Sequence, residues 1–217
     1  MKFPPGVHSS KIVLFASILF VLAANSAQAQ SSSDWWFGPN SVWDKGVVQF
    51  SKKYKPGEII VSFGDRRLYH VLRQGEAMSY PIAVPRQQSR WQGVLRVSQK
   101  RINPGWTPTP SMRKENPELP AHVPGGHPQN PLGVRALYLG STLYRIHGTD
   151  APWTIGDNVS KGCIRMHNEH VIELYDQVKI GARVTATWTQ FNPTTVASAD
   201  FGSGNKAHYD GPEWKPF

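Results

Sequence analysis

Short apolar segments divided by turn residues set the first limit on this fold. Residues 58–63 (EIIVSF) are apolar and β-branched, Gly64-Asp65 is a turn pair, and 67–72 (RLYHVL) follow as a second extended segment. Gln74-Gly75 turns the chain again before 78–84. Such runs, bounded by Gly, Asp and Asn, read as strands, and three in succession read as a β-meander. Segment 94–102 continues the pattern, 135–139 and 142–147 flank Gly140-Ser141, and 183–187 closes it. With 19 glycines and 18 prolines among 217 residues, few stretches are long enough for a helix. The exception is 170–178, where Val171, Leu174, Tyr175 and Val178 share one face, Asn168 stands ahead as a cap and Gly181 ends the run. The spacing predicts a mainly-β domain over 58–188 with one short helix.

The ends read differently. Lys2 and Lys11, an apolar run at 12–24 (IVLFASILFVLAA) and the small residues of Ala27-Gln28-Ala29 make 1–29 a secretory signal peptide. The run is short for a bilayer span. Cleavage after Ala29 and export to the periplasm or cell envelope are therefore expected, without stable membrane insertion afterwards. Residues 30–57, with Trp35, Trp36 and Trp43, read as an irregular lead-in, and 189–217, rich in Gly, Ser, Asn and Pro, as a tail. Losing Lys2 and Lys11 lowers the formal net charge from +9 to about +7. That balance suits an anionic partner, and export argues against nucleic acid.

There is one cysteine, which excludes an internal disulfide framework and any multi-cysteine zinc or iron–sulfur site. No His-Glu-x-x-His spacing appears, so no metal and no other cofactor is expected. Cys163 lies in Ser160-Lys161-Gly162-Cys163-Ile164-Arg165, directly ahead of the predicted helix. A thiol attacks as thiolate, a form that cations such as Lys161 and Arg165 favour. Backbone N–H groups at a helix start can hold an oxyanion, and Gly162 lets the backbone approach a substrate. His147, at the end of a predicted strand and followed by Gly148-Thr149-Asp150, is the candidate base. Residue type alone favours reading Cys163 as a small buried hydrophobe, and spacing and charge bring the nucleophile reading level with it. The proline-rich stretch 103–126 is long for an idle connector, which points to lining or covering a groove, and His127 follows directly after it.

Tyr144-Arg145-Ile146-His147-Gly148-Thr149 and Ser160-Lys161-Gly162-Cys163-Ile164-Arg165-Met166 together resemble the signature of the L,D-transpeptidases, with their YkuD-type catalytic domain. Asn130-Pro131-Leu132-Gly133, Trp153-Thr154-Ile155-Gly156, and Asn168 with Val171, Leu174 and Tyr175 agree in the same order, and the likeness runs over about 58–187. The resemblance implies a β-sandwich with the cysteine at its rim and an enzyme acting on peptidoglycan stem peptides. By carry-over, Cys163 attacks the carbonyl of the third residue of a donor tetrapeptide and D-Ala leaves. His147 takes and returns the proton, and a diamino-acid side-chain amine on a neighbouring stem receives the acyl group as a 3→3 cross-link. Gly148 would orient His147 through its backbone carbonyl, and the N–H groups of Gly162 and Cys163 would hold the oxyanion. Arg165 and Ser160 are the substrate-binding candidates, with Arg165 open between carboxylate binding and structural pairing. Many members carry a second histidine just before Gly-Cys, where this chain has Lys161. The same thioester could instead pass to water, a free D-amino acid or an envelope protein. A reading of another class is a non-catalytic peptidoglycan-binding module gripping glycan through Trp35, Trp36 and Trp106, against which the intact Cys163 and His147 speak.

Overall fold

The computed structural model describes Met1 and residues 44–194. The cleavage site and apolar run expected of a signal peptide, the three tryptophans Trp35, Trp36 and Trp43, and the tail beyond Thr194 lie outside the described residues. Among the described residues no helix is long and apolar enough to cross a membrane.

The fold is mainly β. In chain order the strands are β1 (Gly46–Gln49), β2 (Ile59–Ser62), β3 (Arg67–Arg73), β4 (Glu76–Pro81), β5 (Val84–Pro85) and β6 (Gly93–Ile102). After α1 (Pro110–Glu115) come β7 (Arg135–Leu139), β8 (Arg145–His147), β9 (Asn158–Ser160) and β10 (Ile164–Arg165), then α2 (Asn168–Gln177) and β11 (Arg183–Thr187). Nine strands hydrogen-bond in the order β1-β4-β3-β2-β11-β6-β7-β8-β10, while β5 and β9 pair separately.

β2 is buried along its whole length because it lies between β3 and a parallel partner, β11. Its unbroken apolar run is the pattern of a strand covered on both faces. β6 belongs to both halves of the sheet. Gly93 to Arg96 pair antiparallel with β11, and Val97 to Ile102 pair with β7 across a register shift. The two halves enclose one core. Ile59, Val61, Leu68, Tyr80 and Ile82 from one side cluster with Leu137, Leu139, Ile146 and Ile164 from the other and with Val171, Leu174 and Val178. This is the sandwich that the resemblance implied.

Several local expectations need correction. Part of the lead-in is ordered: β1 pairs antiparallel with β4, and Phe50 stacks on Tyr54 and Tyr69 at centroid distances of 5.5 and 4.6 Å. Phe191, from the start of the tail, joins the same cluster at 4.9 Å from Phe50, and Gln49 N–H donates to Thr194 O at 2.9 Å. These residues cover the outer face of β2–β4, which presents Ile60, Tyr69, Val71 and Ala77. The proline-rich stretch also holds a short helix, α1. Pro110 opens it, and Thr109 Oγ1 accepts from Met112 N–H at 3.3 Å. Six residues are too few to show a helical period. Lastly, the N-cap of α2 is His167, with no side-chain cap bond. Asn168 is the first helical residue, and its amide is engaged elsewhere.

Candidate active site

The site is built on the parallel pair β8 and β10. Ile146 pairs with Ile164, His147 with Arg165, and Met166 N–H extends the ladder by donating to His147 O at 2.8 Å. Side chains alternate along a strand. Ile146 and Ile164 are fully buried in the core, so Arg145 and His147 on one strand, and Cys163 and Arg165 on the other, project from the opposite face. Strand pairing thus sets His147 and Cys163 on neighbouring strands of that face. A meeting of strand end with helix start was expected, but β10 stands between Cys163 and α2, so the thiol is not at the helix N-terminus.

His147 is buried, and Gly148 O lies 2.6 Å from its Nδ1. A carbonyl only accepts, which fixes the proton on Nδ1 and leaves Nε2 as the basic nitrogen. Burial holds the imidazole pKa down at about 3, with Arg165 and Arg145 pressing the same way against the Gly148 bond. The ring is therefore neutral at rest.

Glycine is required at 148 by close approach. A Cβ there would stand 2.1 Å from Asn168 Oδ1 and 3.2 Å from Val134 N. That Oδ1 accepts from Thr149 N–H at 3.1 Å and Val134 N–H at 3.4 Å, while Asn168 Nδ2 donates to Thr149 O at 2.9 Å. Gly133, at φ +61°, meets the same group, with its absent Cβ 2.5 Å from Thr149 N. Asn168 thus brackets the loop that carries the histidine. Asn130, also buried, donates to Pro104 O at 2.8 Å and Pro124 O at 3.0 Å, fastening both ends of the proline-rich stretch.

Cys163 is half-buried, and its thiol donates to Leu143 O at 3.5 Å. Burial pushes the thiol pKa above its ordinary value, opposed by Arg145 and then Arg165. The turn ahead of it is clamped. Gly162 has φ +127° and faces Tyr144, whose ring would sit 2.4 Å from a Cβ. Tyr144 stacks on Trp91 at 5.0 Å and 5°, and Trp91 Nε1–H donates to Gly162 O at 3.0 Å. Ser160 is turned inward: its hydroxyl donates to Cys163 O and faces Gly162 N–H at 3.4 Å. Its bonds shape the turn and are not offered outward.

The cations are distributed otherwise than the sequence suggests. Lys161 Nζ pairs with Glu115 of α1, away from the sulfur. Arg165 feels Asp150, Cys163 and Arg86, and burial weighs on its charge. Among the described residues no hydrogen bond or ion pair takes up its guanidinium. Arg145 was not singled out from sequence, although its place two residues before His147 puts it on the same strand face. His127 lies apart, lining a cavity of about 450 Å³ with Trp106, His122 and Pro124.

Residues 56–185 match the family model described as the L,D-transpeptidase catalytic domain, YkuD. The "Probable L,D-transpeptidase ErfK/SrfK" of Escherichia coli is 40% identical over 133 residues, covering 58% of this chain and 42% of its own length. The "Probable L,D-transpeptidase YbiS" of the same organism is 38% identical over 133 residues, covering 58% and 43%. The chain therefore spans about two fifths of the length of these curated relatives. A solved Brucella melitensis chain, described as a probable carnitine operon oxidoreductase, is 41% identical, with 69% of this chain and 95% of that one covered and a TM-score of 0.46. With more than half of its residues inside the family model, and with cysteine and histidine on one face of paired strands, this chain belongs to the L,D-transpeptidase catalytic domain family.

Proposed function

We propose that this protein is a cysteine-dependent L,D-transpeptidase, exported to the cell envelope, that remodels peptidoglycan stem peptides. The observation that carries the reading is the shared face of Cys163 and His147, ringed by Arg145, Arg165 and Arg86, with Asp150 acting on Arg165 and Glu115 on Arg86. A cationic rim of this kind suits a donor peptide that bears carboxylates. Arg165, whose guanidinium makes no hydrogen bond or salt bridge among the described residues, is the group for such a carboxylate.

In the first half-reaction Sγ attacks the carbonyl carbon of the third donor residue. The thiol proton passes to Nε2 of His147. As the C–N bond to D-Ala breaks, the proton goes on to the leaving amine. Burial and the two arginines disfavour the imidazolium, so the proton is handed on rather than stored. The Gly148 carbonyl keeps Nδ1 protonated and the ring aimed. The N–H groups of Gly162 and Cys163 receive the oxyanion. The Gly162 contact to Ser160, at 3.4 Å, is long enough to be exchanged for a stronger charge-assisted bond. In the second half-reaction a diamino-acid amine attacks the thioester, the S–C bond breaks, and the amine's proton returns through His147 to sulfur.

Incubation with purified muropeptides, with products read by mass spectrometry, tests this directly. Cross-linked dimers that have lost one D-Ala are the expected products. Tripeptides alone would make the acceptor water, and adducts on a free D-amino acid or an envelope protein would name those acceptors instead.

A further inference from the structure

Cys163 has a neighbour whose chemistry the reaction so far leaves unused. Arg145 stands one residue beyond Tyr144 on β8, and its cross-strand partner is Tyr138, over whose ring the guanidinium carbon lies at 4.8 Å. Its Nη1 donates to Leu143 O at 3.0 Å, and the Cys163 thiol donates to the same oxygen at 3.5 Å. The sulfur and the guanidinium therefore converge on one carbonyl. The Arg145 Nε is buried and has no hydrogen-bond partner. A buried donor left unpaired is costly. The resting thiol donates toward Leu143 O, and its sulfur is only a weak acceptor for this guanidinium. A thiolate, which has no proton to give and carries a full negative charge, is the stronger partner.

We propose that Arg145 is the thiolate partner of Cys163: its guanidinium receives the sulfur anion once the proton has left for His147. The inference rests on Cys163 as the nucleophile of the proposed reaction. It gives Arg145 and Arg165 different work, the first at the sulfur and the second at the substrate carboxylate. It also accounts for how the thiol does without a cation from position 161, where the Lys161 ammonium is held by Glu115. Arg145 and Arg165 are the cations that lower the thiol pKa, against burial. The other titratable and charged groups around them are His147 on β8, Tyr138 on β7, Asp150 in the following loop, and Arg86 after β5 with Glu115 beside it.

The chain has one cysteine, so alkylation by iodoacetamide reports Cys163 alone. The rate is measured against pH for wild type, Arg145→Met, Arg145→Lys and Arg165→Met, with circular dichroism to verify the fold. Loss of an opposite charge beside a titrating group moves its pKa by about one to three units. Arg145→Met should raise the midpoint by at least about one unit, an approximately tenfold slower alkylation at fixed pH below it. Arg145→Lys should restore most of that, and Arg165→Met should shift it less. An unchanged midpoint in folded Arg145→Met, or a larger shift from Arg165→Met, would overturn the assignment. Should Arg145→Met fail to fold, Arg145→Gln, which can keep the bond to Leu143 O while removing the charge, carries the same expectation. Alkylation needs no peptidoglycan, so a shift seen in a protein that releases no D-Ala from donor tetrapeptides would sink the proposed function and leave this inference standing.

Discussion

The β2–β4 half of the sheet and the β8–β10 edge are held by different means. In the first, each strand carries its own reason to be a strand. Ile59 and Val61 point into one core and Ile60 into another, Tyr69 and Leu68 do the same one strand over, and Gly75 at φ +88° closes the hairpin. The edge has no such autonomy. β8 is three residues and β10 two, and their position depends on Asn168 reaching across to Thr149, on glycines at 133 and 148, and on the Trp91–Tyr144 stack against Gly162. Packing by area is tolerant of detail, whereas brackets of single hydrogen bonds and missing Cβ atoms are not. Damage to the first half should thus be felt as lost stability, and damage to the edge as lost chemistry.

The largest effect expected is on the packed half. Leu68→Ala removes a fully buried side chain and should cost about 4 kcal/mol in denaturant unfolding. The folded fraction should keep its rate of Cys163 acylation, and a matching loss of that rate would erase the contrast. Acid comes next, acting through the edge. His147 titrates at about 3 in the folded chain against an ordinary 6.5, so between those values the unfolded chain binds more protons. Its contribution is whole above pH 6.5 and is lost as the pH falls toward 3, on the order of 3 kcal/mol by pH 4. His170, held at about 4 by burial, acts in the same direction. Unfolding free energies that stay flat from pH 7 to 4 would contradict both.

Gly148→Ala sharpens the comparison most cleanly. The added methyl group must displace Asn168 and the Gly148 carbonyl that aims His147, and a misplacement near 1 Å can cost on the order of a hundredfold in rate. Acylation should fall by about that factor with a smaller stability loss than Leu68→Ala. The smallest effect belongs to the rim: Glu115→Gln frees Lys161 but leaves Arg145 at the sulfur. The alkylation midpoint should not move, and a clear shift would return Lys161 to the thiol's electrostatics.

The same division governs what could be read from the sequence. β2, β3, β6, β7 and β11 were legible because β-branched runs and turn pairs are local signals, as in 58–63 and 183–187. β1 was not, since Gly46-Val47-Val48-Gln49 gains its meaning only from the aromatic cluster of Phe50, Tyr69 and Phe191. At the site, Cys163 and His147 could be named from their motifs, but not the pairing of β8 with β10 that joins them. Asn168 looked like a helix cap because Asn ahead of an apolar period usually is one. Its real partners are 19 and 34 residues away. Lys161 and Arg145 were exchanged in importance for a similar reason. Adjacency in sequence favoured the lysine, and side-chain alternation on a strand favours the arginine.

The most direct measurement is the intact mass of the protein after mixing with a donor tetrapeptide, for wild type, Cys163→Ala and His147→Ala. Wild type should gain the donor less one D-Ala, His147→Ala should gain it far more slowly, and Cys163→Ala should gain nothing and make no cross-linked product. A Cys163→Ala protein that still forms dimers from muropeptides would contradict the assignment of this face as the active site.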